Sequence, residues 1–250
     1  RERIARLGNK AALRVQQDGQ WRAIGWRTLG QAMDYCAQGL IGAGHQPGEM
    51  VGIYARNMPE WTQADLGILA ARGVSVPIYP TSTLDQLRYI VKDAGIRMLF
   101  VGEQPQFDQA LHLIDSGEIS HIVALDGTVD LRGCASASHF QAFLVSGNHQ
   151  PSEQVLRERE RHYRMDDLLT LIYTSGTTGE PKGVMLDFAN MAACFEMHDA
   201  RLDLSEQDVS LCMLPLSHVF ERAWSYYVLY CGAENVYIRD PQKVMDVIGE

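Results

Sequence analysis

Short apolar runs alternate with longer segments in which apolar residues recur every three or four positions, and this alternation organises the first half of the chain. The short runs are typical of strands buried on both faces, and the longer segments are typical of helices with one buried face. The predicted strands are Met50 to Tyr54, Val74 to Ile78, Met98 to Val101 and Ile119 to Leu125. The predicted helices between them are Pro59 to Ala71, Leu84 to Asp93 and Phe107 to Ile114. Because strand and helix alternate, we expect a parallel sheet with helices packed on its faces.

Two threonines carry the signal of a helix start, since each is followed three residues later by a glutamine. Thr28 is predicted to cap a helix whose apolar stripe runs to Gly42. Thr83 is predicted to cap the helix that begins at the next residue, and Gly95 is placed where it would end that helix.

An antiparallel hairpin is predicted at the start of the chain, where apolar segments flank Asp18-Gly19, a dipeptide suited to a tight turn. Residues 127–164 end in a run of charges, which indicates a solvated helix face or a connector. Beyond it the predicted elements are strands at 168–173, 183–186, 209–214 and 234–238, and helices at 188–200, 219–231 and after Pro241. We therefore expect an α/β fold of layered parallel-sheet subdomains, the first spanning residues 1–165 and the second 166–250.

The composition of the 250-residue chain narrows its function class. With 46% hydrophobic residues it can bury a sizeable core, and a net charge of −9 provides no electrostatic footprint for nucleic acid. Its five cysteines have neither the spacing of a zinc site nor the even number of a disulfide framework. No apolar stretch resembles a membrane span or a signal peptide. We expect a cytoplasmic protein, with any membrane contact confined to the periphery of the inner membrane.

The segment from Tyr173 to Val184, with the sequence YTSGTTGEPKGV, has the composition of a phosphate cradle. Its glycines let backbone amides approach an anion, its hydroxyls add donors, and Lys182 supplies a point charge. The spacing is not that of a Walker loop, because Lys182 lies three residues after Gly179 instead of directly after it. Composition alone leaves a second interpretation open, namely a solvent-exposed turn between two strands.

The order of residues in this segment resembles the signature loop of the adenylate-forming (AMP-binding) superfamily, which includes acyl-CoA synthetases, nonribosomal-peptide adenylation domains and luciferases. Segments 48–54 (GEMVGIY), 57–61 (NMPEW) and 73–81 (GVSVPIYPT) are similar to the family's upstream segments in the same order. Leu214 to Arg222 is similar to its next segment, and the ending HVFER resembles long-chain fatty acid–CoA ligases in particular. The resemblance runs from about Ala11 to the last residue and concerns the amino-terminal portion of that family only.

The resemblance implies a two-step reaction: a carboxylate attacks the α-phosphorus of ATP to give acyl-adenylate and pyrophosphate, and the thiol of coenzyme A then displaces AMP. It implies catalytic roles for Lys182 and His218 and a magnesium contact for Thr174. The residues it implies around the nucleotide are Thr174, Ser175, Gly176, Thr177, Thr178, Gly179, Lys182, Gly183 and Glu221. ATP, Mg²⁺ and coenzyme A are the expected cofactors and co-substrates, a fatty acid is the expected substrate, nucleic acid is not expected, and a homodimer stays open.

One departure from the family pattern follows the loop, because the chain has Asp187-Phe188-Ala189-Asn190 where the family usually has Ser or Thr followed by His. The family's adenine, ribose and hinge segments and its mobile domain with a catalytic Lys are not found, so we expect a fragment that is inactive alone and is cut at both ends. Two alternatives stay open: an adenylating enzyme for an aryl acid, an amino acid or a carrier-linked acid, and a noncatalytic nucleotide-binding module.

Overall fold

The computed structural model describes residues 1–17, 19–148, 153–174 and 181–238, which form twenty helices and strands. In chain order these are α1 (Glu2–Leu7), β1 (Ala11–Gln17), β2 (Gln20–Gly25), α2 (Trp26–Gly42), β3 (Met50–Tyr54), α3 (Pro59–Ala70), β4 (Val74–Ile78), α4 (Leu84–Ala94), β5 (Met98–Val101), α5 (Gln104–Asp115), β6 (His121–Ala124), β7 (Ala137–His139), α6 (Phe140–Asn148), α7 (Glu153–Arg161), β8 (Leu168–Thr174), β9 (Lys182–Asp187), α8 (Phe188–Asp199), β10 (Val209–Cys212), α9 (Val219–Cys231) and β11 (Glu234–Tyr237). The chain has an α/β fold.

The chain divides into two compact units. The large unit comprises Ala32–Arg56 and Glu60–Ala189, and the small unit comprises Arg1–Gln31, Asn57–Pro59 and the chain from Asn190. Both units are assembled from segments that are distant in the sequence. None of the helices in the described residues has the length and apolar character needed to cross a membrane.

The large unit contains a seven-stranded sheet in the order β7-β6-β5-β3-β4-β8-β9. Its strands pair in parallel except at β8 and β9, which form an antiparallel pair. The central strands are buried on both faces, as in β4, where every residue is buried. Strands of this kind read as continuous apolar runs instead of alternating patterns, because helices cover both faces of a parallel sheet.

The small unit contains a four-stranded sheet in the order β10-β11-β1-β2. β10, β11 and β1 pair in parallel, and β1 and β2 form the antiparallel hairpin predicted at the start of the chain. Arg14 on β1 forms a bidentate ion pair with Glu234 on β11, with N–O distances of 2.6 and 2.7 Å. The Asp18 position of the predicted turn lies outside the described residues, as does the helix predicted after Pro241.

The two predicted helix starts have different outcomes. Thr83 caps α4 as predicted, in a capping box with Gln86, and Gly95 ends the helix in the left-handed conformation with a φ of 67°. The prediction at Thr28 is wrong, because α2 begins at Trp26. The amides of Trp26 and Arg27 bind the carbonyl groups of Lys10 and Gly8, so backbone contacts replace the side-chain cap.

The structure differs from the prediction at three further places. The small edge strand β7 and helix α6 lie where a connector was expected, and two phenylalanines of α6, Phe140 and Phe143, pack edge-to-face on Phe100. Helix α1 was also not predicted. The boundary expected near residue 165 does not coincide with an edge of either unit, because β8 pairs with β4 across it.

Candidate active site

The predicted phosphate loop is framed by the antiparallel pair β8 and β9. Thr174 at the end of β8 lies opposite Lys182 at the start of β9, and both residues are exposed. The strand that leads to Thr174 is firmly held, because its Thr170 hydroxyl is buried and donates to the Ser75 carbonyl oxygen at 2.7 Å. The predicted ligands between these ends, Ser175, Gly176, Thr177, Thr178 and Gly179, lie outside the described residues. The hairpin therefore places a hydroxyl and an ammonium group at the two ends of the loop.

Tyr173 anchors this hairpin and explains one of its glycines. The Tyr173 hydroxyl donates to Asp93 at 2.5 Å, and burial together with this carboxylate raises the pKa of the phenol. A Cβ atom on Gly183 would lie 3.1 Å from the Tyr173 ring, closer than ordinary van der Waals contact. The predicted role of Gly183 at the nucleotide stays a prediction, but packing against Tyr173 already disfavours a side chain there.

His218 lies at the start of α9, in the loop that follows β10. Its Nδ1 atom accepts a hydrogen bond from the Phe220 amide at 3.2 Å, so the side chain caps the helix. In the neutral ring this contact leaves the proton on Nε2, which is then a donor. The residue is exposed, so that donor is accessible to a ligand. The Nδ1 atom of His218 thus has a structural role in capping the helix, while its Nε2 atom is accessible for a hydrogen bond to a ligand.

Glu221 is buried beneath the same loop, with only 3% of its surface exposed. Its carboxylate accepts from the Leu214 amide at 3.0 Å and from the Ser225 hydroxyl at 3.4 Å. Burial raises the pKa of Glu221, and the hydrogen bond from the Leu214 amide opposes that shift. The carboxylate therefore binds the backbone of the loop. The contact with the nucleotide that the family resemblance implies for Glu221 stays a prediction.

Asn57 is a contributor to this region that the sequence interpretation missed. Its Nδ2 donates to the Leu214 carbonyl oxygen at 2.6 Å, and its Oδ1 accepts from the Leu216 amide at 2.9 Å. Nδ2 also lies 3.4 Å from the Cys212 sulfur. The partners are more than 150 residues later in the chain, and no local pattern at Asn57 indicates such contacts.

The predicted site residues fall into two groups. The structure brings Thr174, Lys182 and Gly183 together at one end of the β8–β9 hairpin of the large unit. It brings His218 and Glu221 together at the amino end of α9 in the small unit. Strand pairing fixes the backbone of the first group, and side-chain hydrogen bonds fix the backbone of the second.

The described side chains could hold a magnesium ion only together with ligands from the phosphates of a bound nucleotide. No group of three or more His, Cys, Asp or Glu side chains suited to a metal ion occurs within the described residues. Mg²⁺ commonly keeps waters and takes ligands from substrate phosphates in addition to one or two protein oxygens. The exposed Thr174 hydroxyl beside Lys182 can supply such an oxygen.

Comparison with known proteins assigns the chain to a family. The model of the family described as AMP-binding enzyme matches residues 1–249. The chain belongs to the AMP-binding enzyme family. Among curated relatives, long chain acyl-CoA synthetase 6 (peroxisomal) of Arabidopsis thaliana is 31% identical over 93% of this chain and 34% of its own length. The long-chain-fatty-acid–CoA ligase FadD15 of Mycobacterium bovis is 32% identical over 83% of this chain and 34% of its own.

The described fold of this family member also matches solved structures. The A domain of carboxylic acid reductase from Segniliparus rugosus, solved with AMP and a co-purified carboxylic acid, superposes with a TM-score of 0.77. The match covers 98% of this chain and 44% of that one at 18% identity, which supports the α/β fold expected from the sequence. The chain spans about a third of the length of the curated relatives that it matches.

Proposed function

We propose that the complete protein carrying this chain is a long-chain fatty acid–CoA ligase that forms AMP. Membership of the AMP-binding enzyme family and the acyl-CoA ligases among its relatives support an ATP-dependent acyl-CoA ligase. The observation that carries the proposal is the β8–β9 hairpin, which presents Thr174 and Lys182 at the ends of the glycine- and threonine-rich segment. The long chain of the substrate rests on the relatives' names and on the ending HVFER.

In the first step a carboxylate oxygen of the fatty acid bonds to the α-phosphorus of ATP, and the bond from that phosphorus to pyrophosphate breaks. Lys182 would balance the charge of the β- and γ-phosphates, and the Thr174 hydroxyl would orient the magnesium ion that they carry. Magnesium supplies neutralisation of the phosphate charge when it is bound. His218 would donate from Nε2 to an oxygen of the α-phosphate or of the carboxylate, since its Nδ1 is occupied by the Phe220 amide.

In the second step the sulfur of coenzyme A bonds to the acyl carbonyl carbon, AMP leaves with the electron pair of the broken C–O bond, and the thiol proton passes to solvent. No protein nucleophile is needed, because the acyl group is already activated as a mixed anhydride. We further propose a cytoplasmic location with peripheral contact at the inner membrane, where an apolar substrate would be collected.

An adenylating enzyme for a different acid is the second candidate. The fold match to the A domain of carboxylic acid reductase favours it, because that domain was solved with AMP and a carboxylic acid but belongs to a reductase and not to a CoA ligase. The two candidates share the first chemical step and differ in the acid and in the acceptor.

The test is acid-dependent exchange of labelled pyrophosphate into ATP by the complete protein, with short, long and aromatic acids assayed side by side. We expect exchange that is strongest with saturated long-chain acids, followed by release of AMP on addition of coenzyme A. A preference for aryl or amino acids would replace the proposal with the second candidate. Exchange with no acid at all would favour a noncatalytic nucleotide-binding module.

A further inference from the structure

The loop of residues 213–218, which connects β10 to α9 and ends at His218, is held by side chains from two directions. From α9, the Glu221 carboxylate accepts from the Leu214 amide at 3.0 Å. From a segment far earlier in the chain, Asn57 contacts the Leu214 carbonyl at 2.6 Å and the Leu216 amide at 2.9 Å. The two polar groups of the Leu214 backbone and the amide of Leu216 are therefore all bound by side chains.

We infer that Asn57 is a positioning residue for His218, an inference that rests on the proposed function. Its amide group mimics a neighbouring strand, because it donates to one backbone carbonyl and accepts from an amide two residues later. The loop lacks a strand partner at this point, since β10 ends at Cys212. Asn57 thus sets the path of the backbone that leads to His218.

The contacts of Asn57 continue into a buried polar network. Nδ2 lies 3.4 Å from the Cys212 sulfur, and the Ser225 hydroxyl approaches the same sulfur at 3.9 Å. Asn235, which is fully buried, donates to the Ser225 hydroxyl at 3.1 Å. A connected and buried network restricts the loop more strongly than isolated surface contacts would.

If Asn57 positions His218, its loss should change kcat and KM differently, which a merely structural role would not predict. Small displacements of a group in the reaction geometry lower turnover, while the affinity for ATP depends on the separate phosphate loop. Asn57→Ala should therefore reduce kcat for acid-dependent ATP–pyrophosphate exchange ~10-fold or more and leave the KM for ATP within about twofold.

The experiment compares four variants in the complete protein: Asn57→Ala, Asn57→Asp, His218→Ala and the double variant Asn57→Ala/His218→Ala. In the His218→Ala background, loss of Asn57 should have little further effect, because its contribution passes through the histidine. Asn57→Asp keeps the acceptor for the Leu216 amide but places a carboxylate oxygen against the Leu214 carbonyl oxygen, where neither can donate, so its kcat should fall at least as far as that of Asn57→Ala. Amide hydrogen exchange of the peptide spanning 213–219 should be faster in Asn57→Ala.

The control is Thr83→Ala, which removes a helix-cap hydrogen bond from α4 in the large unit and should leave kcat unchanged. An unaltered kcat in folded Asn57→Ala, or equal effects in the two His218 backgrounds, would overturn the inference. If Asn57→Ala does not fold, Asn57→Asp decides by the same split between kcat and KM. A wild-type protein that shows no exchange with any acid would instead overturn the proposed function and this inference with it.

Discussion

The hairpin that presents Thr174 and Lys182 and the loop that carries His218 are built in opposite ways. The hairpin is fixed by the backbone ladder of β8 and β9, and its two site side chains are exposed. The loop has no ladder, and side chains of Asn57 and Glu221 bind its backbone. Backbone hydrogen bonds fix the hairpin, whereas side-chain hydrogen bonds from the buried Glu221 and the half-buried Asn57 fix the loop.

Because of this difference, substitutions in the two regions should have different effects on activity and on stability. Exposed side chains at the hairpin are free to serve a ligand, so their removal should cost activity and little stability. The buried Glu221 carboxylate and the half-buried Asn57 amide both bind the loop backbone, so their removal should lower both stability and activity. Four predictions test that separation.

The largest effect is expected at the hairpin. Lys182→Ala should lower ATP–pyrophosphate exchange by the complete protein ~100-fold or more, because a charge directed at the phosphates is lost from a preorganised site. Its unfolding midpoint in urea should match that of wild type, since Lys182 is exposed. Lys92→Ala, at another exposed lysine, is the matched control and should affect neither measurement. A large loss of stability in Lys182→Ala would contradict the comparison.

The next effect is expected beneath the loop. Glu221→Ala should lower the free energy of unfolding by about 2 kcal/mol, because the Ser225 hydroxyl and the Leu214 amide lose their acceptor and a buried volume is emptied. Equilibrium unfolding in urea measures this. Glu206→Ala is the matched control, because it removes the same atoms from a partly exposed carboxylate. Equal losses of unfolding free energy in the two variants would show that the burial of Glu221 is not what makes its loss costly.

A smaller effect is expected at the other end of the hairpin. Thr174→Val keeps the shape of the side chain and removes its hydroxyl, so the magnesium concentration needed for half-maximal exchange should rise about tenfold. Thr174→Ser keeps the hydroxyl and should resemble wild type. An unchanged magnesium requirement in Thr174→Val would remove Thr174 from the proposed metal contact.

The smallest effect concerns pH. Since burial raises the pKa of Glu221 in the folded protein, the folded state binds this proton more tightly than the unfolded chain does. The stabilisation is therefore fully present below the ordinary glutamate pKa of about 4.3 and is lost as the pH rises through the raised value. Glu221→Gln, which cannot ionise, should flatten this part of the stability profile. An identical pH dependence of unfolding in the two proteins would show that the carboxylate is not the group responsible.

Local chemistry was sufficient for several parts of the fold and of the site. The strands β3, β4 and β5 were predicted with the observed bounds, because strands buried on both faces appear as unbroken apolar runs. The cap at Thr83 was predicted because its partners are three residues apart. The strands that frame the phosphate loop, and the placement of His218 at the start of a helix, also follow from local pattern.

Other parts depended on contacts between segments that are distant in the sequence. Helix α2 starts before Thr28 because the carbonyls of Gly8 and Lys10 satisfy its first amides. Strand β10 stops at Cys212, two residues before the end predicted for it, and the Leu214 amide binds the Glu221 carboxylate instead of a neighbouring strand. Neither contact leaves a periodic signal along the chain.

The sequence by itself determined the alternating architecture, the framed loop and the family resemblance, because each is encoded in residues that are neighbours along the chain. The tertiary structure alone decided that Glu221 turns inward and that Asn57 holds the backbone before His218. The physical reason is that a polar side chain withdrawn from solvent bonds to whatever partner the fold supplies, which for the buried Glu221 is the Leu214 amide and for the half-buried Asn57 is a carbonyl group 157 residues away.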